Sequence, residues 1–181
     1  DTNRYIVVGV GFFDLQNQGT TYAPTSVTVG GVSATKIAGG VSGVDSGYTT
    51  GCSLWRAYVP TGTTKTVVVN WSTTVSRCDV GLYRLIHVDG TPSDTDSDVT
   101  TTASSVSTKS MTTPELGMAY SAMRDNNAST AVDWSGTASP VEDYENTQSY
   151  NAYAGATYSA SGTIISTHVG NEVQSIVAAT W

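Results

Sequence analysis

The stretch from Cys52 to Ser72, CSLWRAYVPTGTTKTVVVNWS, most constrains what this chain can fold into. It reads as two long strands joined by a tight turn. Val59-Pro60-Thr61-Gly62 has type I turn chemistry, with proline presetting φ at the second position and glycine following at the fourth. Trp55, Ala57 and Val59 share one face of the first strand, and Val67, Val69 and Trp71 share one face of the second. β-Branched and aromatic residues at period two mark a strand half-buried on a core. Leu54, Tyr58 and Val68 add apolar bulk to the opposite faces, which predicts a central hairpin with both tryptophans buried.

The same grammar runs along the chain. In RYIVVGVGFF, from Arg4 to Phe13, Ile6, Val8, Val10 and Phe12 line one face, and Tyr5, Val7, Gly9 and Gly11 the other. Glycines alternating on one strand face make room for a neighbour's bulk or mark a bulge. Gly9-Val10-Gly11 is not a nucleotide loop, because two phenylalanines follow and no helix does. SVTVGGVSATKI is a hairpin whose Gly30-Gly31 loop supplies the positive φ of a type I′ turn. Its register places Val29 opposite Val32, Val27 opposite Ala34, and Thr28 opposite Ser33 on the polar face.

Residues 38–51 read as a glycine-rich connection. RCDVGLYRLIHV follows as a strand with Cys78, Val80, Leu82, Ile86 and Val88 on one face, broken by Arg84. SSVSTKSMTT, TAVDWS, GTIISTHV and QSIVAATW are further strand candidates. ELGMAYSAMR fits a strand, with an amphipathic helix as the alternative. The tyrosine-rich stretch 139–162 has no clear boundaries. These signals predict an all-β protein: an antiparallel two-sheet β-sandwich, jelly-roll-like, of about a dozen strands and no long helix. One domain over residues 1–181 is the simplest count, with an N-terminus that is processed or continues a longer chain, since residue 1 is Asp.

Composition narrows the function classes. Fifteen acidic residues against eight basic ones give a net charge of −7, and the basic residues are scattered singly. Phosphate binding needs clustered Lys and Arg, so nucleic acid is not an expected partner. No apolar run reaches membrane-spanning length, so no membrane is expected either. Cys52 and Cys78 form one disulfide or remain thiols.

Candidate sites are few. Asp94, Asp96 and Asp98, with Asp89 upstream, alternate carboxylates that a Ca²⁺ ion would accept. The run is not an EF-hand, having Val99 where that loop needs Gly and Ser105 where it needs Glu. A solvated acidic loop capping a sheet end is the preferred reading. His87 and His168 have no metal-ligand spacing, and no GxSxG elbow anchors a hydrolase triad. Glu142, Asp143 and Glu145 cluster as a loop would. Tyr144, Tyr150, Tyr153 and Tyr158, spaced among Ser, Asn and Gly, have the composition of a binding surface, and equally that of strands packed on a core. No catalytic residue and no cofactor is expected.

The order of several elements resembles a β-sandwich module of bacteriophage virion structural proteins. The residues that carry it are SVTVGGVSATKI, SLWRAYVPTGTTKTVVVNWS, a strand ending in HVDGTPSDT, TTPELGMAYSAM and a terminal SIVAATW, spanning residue 4 to the end. The resemblance implies a non-enzymatic capsid decoration, tail or fibre component located on the virion. Its partners would be other virion proteins or copies of itself. A carbohydrate-binding module for glycan attachment is the alternative. Strands apolar on both faces, notably 4–13 and 52–59, require a second cover. A neighbouring subunit would supply it, or else the chain's own segments 38–51 and 139–162.

Overall fold

The computed structural model describes residues 3–15, 23–45, 47–101, 105–112, 116–124, 131–148, 151–167 and 173–181. Fifteen strands and no helix are present among them, and every pairing is antiparallel. Two large sheets stack face to face. The first runs, in spatial order, β4 (Thr35–Asp45), β5 (Tyr48–Tyr58), β1 (Arg4–Asp14) and β7 (Arg77–Ile86). The second runs β12 (Val141–Gln148), β13 (Asn151–Tyr158), β10 (Gly117–Arg124), β15 (Gln174–Thr180) and β8 (Asp94–Thr100). The expected two-sheet sandwich is therefore the centre of the molecule.

Their shared interior holds Val7, Cys52, Leu54, Met118, Tyr120, Tyr153, Val177 and Trp181. Gly9 and Gly11 on β1 face this interior. A side chain at Gly9 would collide with the ring of Tyr120, and one at Gly11 with the ring of Tyr153. The alternating glycines do make room for aromatic bulk arriving from the opposite sheet.

Two small sheets cover the outer faces. One consists of β3 (Val32–Ser33), β2 (Ser26–Val29) and β6 (Val67–Asn70). It packs Val27, Val29, Val67 and Val69 onto Val8, Val10, Trp55 and Ala57 of the four-stranded sheet. The other consists of β11 (Asp133–Ser135), β14 (Ile165–Thr167) and β9 (Ser105–Ser107). With Met111, Ala138 and Ile164 it covers Ala119, Tyr158, Ile176 and Ala178 of the five-stranded sheet. The second faces are thus covered from within the chain, which removes the physical need for a neighbouring subunit there. The covering segments on the first sheet are 26–33 and 67–70, not 38–51 or 139–162.

The hairpin expected over residues 52–72 does not form. β5 pairs with β1 and β4, whereas β6 pairs with β2 in the cover sheet. The two apolar faces do meet, stacked across sheets instead of hydrogen-bonded within one. Period-two patterning identifies a buried face, and either arrangement buries it equally well. Trp55 is buried at 6% exposure, but Trp71 is only half-buried, resting edge-on against Phe12 with ring centroids 5.1 Å apart.

The Gly30-Gly31 turn has the expected positive φ at both positions, 59° and 80°, and the expected register. Val32 nonetheless stays 41% exposed, because β3 lies at the rim of its sheet. Three polar stretches are strands where connections were expected. Residues 38–51 supply β4 and the start of β5, and Glu142, Asp143 and Glu145 lie on β12. Asp94, Asp96 and Asp98 lie on β8. Backbone pairing to β5, β13 and β15 holds these segments despite their low intrinsic strand preference.

Candidate functional site

Each large sheet ends in two edges, and three of the four are guarded. β4 pairs with β5 through two register breaks, at Lys36/Ala38 and Gly39/Val41. Gly39 makes one of them possible, with φ of 80° and a β-carbon there excluded by the Cys52 carbonyl. β12 breaks register at Glu142/Tyr144 and crowds Glu142, Asp143 and Glu145 together. Partial burial, then Glu145, Asp133 and Asp143, push the Glu142 carboxyl up from its ordinary value. β8 carries an aspartate at every second position from Asp94 to Asp98. Bulges and charges are the devices by which sheet edges resist pairing with other chains.

β7 has no bulge, and its outer face carries a single charge, Arg84, in a row of aliphatic side chains. Its register with β1 runs unbroken from Arg4↔Ile86 to Phe13↔Arg77, and it contains no proline. Among the described residues it pairs with β1 alone. Its outer face presents Val80 at 38% exposure, Leu82 at 54% and Ile86 at 39%, with Arg84 among them. Their neighbours across the ladder, Val8 opposite Leu82 and Val10 opposite Val80, are fully buried. The cover sheet therefore ends between β1 and β7 and leaves the last strand bare.

Where the cover sheet stops, its margin and β7 enclose a cleft of about 490 Å³. Ile6, Val29, Val67 and Leu82 form apolar walls, and Arg4, Lys65 and Arg84 bring three of the chain's eight basic residues to it. Among the described residues no carboxylate lines it. Arg4 holds the following turn in place, donating from Nε to the Val59 carbonyl at 2.5 Å and from Nη1 to the Gly62 carbonyl at 2.9 Å. The Lys65 stem lies over Gly30 and Gly62, where φ of 59° and 93° and the lysine itself leave no place for a side chain. Lys65 and Arg84 are exposed and make no ion pair among the described residues.

The inner face of β7 is anchored. Tyr120 Oη donates to Asp79 Oδ2 at 2.7 Å, and Asn146 Nδ2 donates to Asp79 Oδ1 at 2.6 Å. Burial first, then the neighbouring Tyr144 and Asp79, push the Tyr120 phenol well above its ordinary pKa, so it remains a donor at any physiological pH. Gly81 admits the Tyr144 ring from β12, and Tyr83 lies 6.4 Å from that ring. β7 is thus rigid behind and bare in front.

The residues singled out from sequence lie elsewhere. Tyr153 and Tyr158 are buried at 1% and 2% exposure and offer no binding surface, which corrects that expectation. Both face neighbouring sheets: Tyr153 packs in the central interior, and Tyr158 donates to the Ala179 carbonyl at 3.2 Å. Tyr144 is half-buried against Tyr120, and Tyr150 lies outside the described residues. Tyr144, Tyr153 and Tyr158 lie on strands and pack on the core, as the alternative reading held.

Asp94 and Asp96 act on backbone. Asp94 Oδ2 accepts from Thr112 N at 3.0 Å, its Oδ1 accepts from Thr95 N, and Lys109 Nζ lies 3.1 Å from that Oδ1. Asp96 Oδ2 accepts from Lys109 N at 2.6 Å. The Thr112 amide first, aided by Lys109 and Thr95, holds the Asp94 carboxyl below its ordinary value, and burial, second in size, opposes them. Asp98 accepts from Val99 N, and Asp89 is exposed beyond β7. Among the described residues no group of three potential ligands is placed to hold a metal. His87 is exposed at the end of β7 in a left-handed conformation, φ 61°, and His168 lies outside the described residues.

Cys52 and Cys78 are both free. Cys52 is buried beside Ser175 Oγ at 3.2 Å, and burial pushes its thiol up to about 12, whereas Cys78 is exposed on the outer face of β7. Sequence reasoning found the apolar row of β7 but had no signal that it would stay uncovered, because that depends on where another sheet ends. No known family, characterised protein or solved structure matches the chain.

Proposed function

We propose that this chain is a non-enzymatic structural or adhesive module of a phage-like particle, a capsid decoration subunit or a tail or fibre component. It works through protein–protein contacts made by β7. The observation that carries this reading is the bulge-free edge: a ten-residue strand in unbroken register with β1, with three exposed aliphatic side chains beside a basic cleft. Exposed apolar area next to an unpaired strand is what a contact surface needs, and what a protein without one suppresses. The resemblance of its sequence motifs to those of virion modules is what suggests the particle. Neighbouring virion proteins, or further copies of this chain, are the partners.

The test is localisation. Electron microscopy of particles bearing the wild-type chain should show it at repeated positions, and a Val80→Lys, Leu82→Lys double variant should fold yet fail to incorporate. Incorporation of the double variant at wild-type occupancy would overturn the reading. A glycan array run on the isolated protein tests the carbohydrate-binding alternative. That alternative has lost Tyr153 and Tyr158 as stacking platforms.

A further inference from the structure

We propose that β7 takes an extended segment of a partner protein as a fifth strand of its sheet, and that the segment carries a carboxylate opposite Arg84 with apolar residues two positions to either side. The inference rests on the contact reading above and names the partner's chemistry. On the outer face of an added strand, side chains lie directly across from Val80, Leu82, Arg84 and Ile86. Cross-strand pairs stabilise when apolar meets apolar and charge meets opposite charge, so the row reads as apolar, apolar, acidic, apolar on the incoming strand. The unbroken register of β7 with β1 leaves its outer backbone groups in regular alternation, as strand addition requires.

Charge selects the occupant further. Arg4, Lys65 and Arg84 gather in a cleft that, among the described residues, no carboxylate lines, on a chain whose net charge is −7. An acidic segment is drawn to this cleft and repelled by most of the remaining surface, which orients the encounter. A nucleic acid strand would gain from the cations but leave Val80, Leu82 and Ile86 against phosphate and sugar. A second copy adding through its own β7 would bring two sets of these cations together.

The probe is a ten-residue fluorescein-labelled peptide, matching the length of β7, with Val, Val, Glu and Val at alternate positions and Thr between them. Its twin has Lys in place of Glu. Fluorescence anisotropy should show the glutamate peptide binding at least about tenfold more tightly, with the preference shrinking as salt rises from roughly 0.05 to 0.5 M. Arg84→Glu, at an exposed position, should reverse the order of the two peptides while the circular dichroism spectrum stays unchanged. Amide shifts induced by the peptide should concentrate on residues 77–86. Equal binding of both peptides, binding of neither, or shifts centred elsewhere would overturn the proposal. So would a concentration-dependent dimer abolished by Leu82→Lys, which would make a second copy the occupant. If the peptide fails while Val80→Lys, Leu82→Lys still blocks incorporation, strand addition is wrong and the contact function stands.

Discussion

β7 and β8 are both outermost strands of the central sandwich, and they solve the same physical problem in opposite ways. β8 alternates aspartates along its length and uses two of them to hold the 109–112 backbone, through Lys109 N to Asp96 and Thr112 N to Asp94. Its polarity is turned inward upon its own chain and denies a foreign strand an apolar partner. β7 reverses the assignment. Asp79 and Tyr83 face the interior, while Val80, Leu82 and Ile86 face out with Arg84 among them. An edge that turns a carboxylate inward and three aliphatic side chains outward is arranged for contact, because each choice raises the free energy of the isolated chain relative to the opposite one.

The largest expected effect sharpens the contrast within β7's own sheet. Trp55→Ala, under the cover sheet, should destabilise by about 3–5 kcal/mol in denaturant unfolding, the cost of emptying a buried aromatic site. Leu82→Ala, on the uncovered strand of that sheet, should change stability by less than about 0.5 kcal/mol. A cost above 2 kcal/mol for Leu82→Ala, estimated roughly as for buried leucine, would mean that the face is covered after all.

On β8, Asp96→Ala should cost about 1.5–3 kcal/mol, the range for losing a hydrogen bond to a charged acceptor. Asp94 also gives β8 a pH signature. Its carboxyl is held below the ordinary value, so its contribution is present above the unfolded pKa of about 4 and is lost as pH falls through the lower folded value. Asp94→Asn should therefore flatten the acid limb of the stability curve. An unchanged acid limb would remove Asp94 from the account. The smallest effect is none: EDTA should leave the melting temperature where it was, since these carboxylates act on backbone amides and Lys109. A Ca²⁺-dependent rise in melting temperature, abolished by Asp96→Asn, would give β8 a metal instead.

How much of this could be read from the residues depends on what each signal encodes. The Gly30-Gly31 turn and its register were legible, because positive φ at two successive positions is a local requirement. Gly9 and Gly11 were legible as room for bulk, but the bulk, Tyr120 and Tyr153, lies more than a hundred residues away and was not. Trp55 and Val67 were correctly placed on apolar faces, yet stacked faces and paired strands leave the same period in a sequence. Asp94–Asp98 looked like a loop because composition outweighed alternation, and long-range pairing with β15 settled the matter. The candidate edge was hardest to see. Val80, Leu82 and Ile86 form a row that sequence places on one face, and only the margin of the cover sheet leaves it bare.

The openness of β7 is the claim on which the rest stands, and amide hydrogen exchange tests it most directly. In the isolated protein, alternate amides between Cys78 and Ile86 are bonded to β1 and should exchange slowly, while those between them should exchange almost as fast as in a loop. That alternation, retained in Leu82→Lys, is the predicted result. Uniform protection along β7 would contradict it, because some segment would then already occupy the edge.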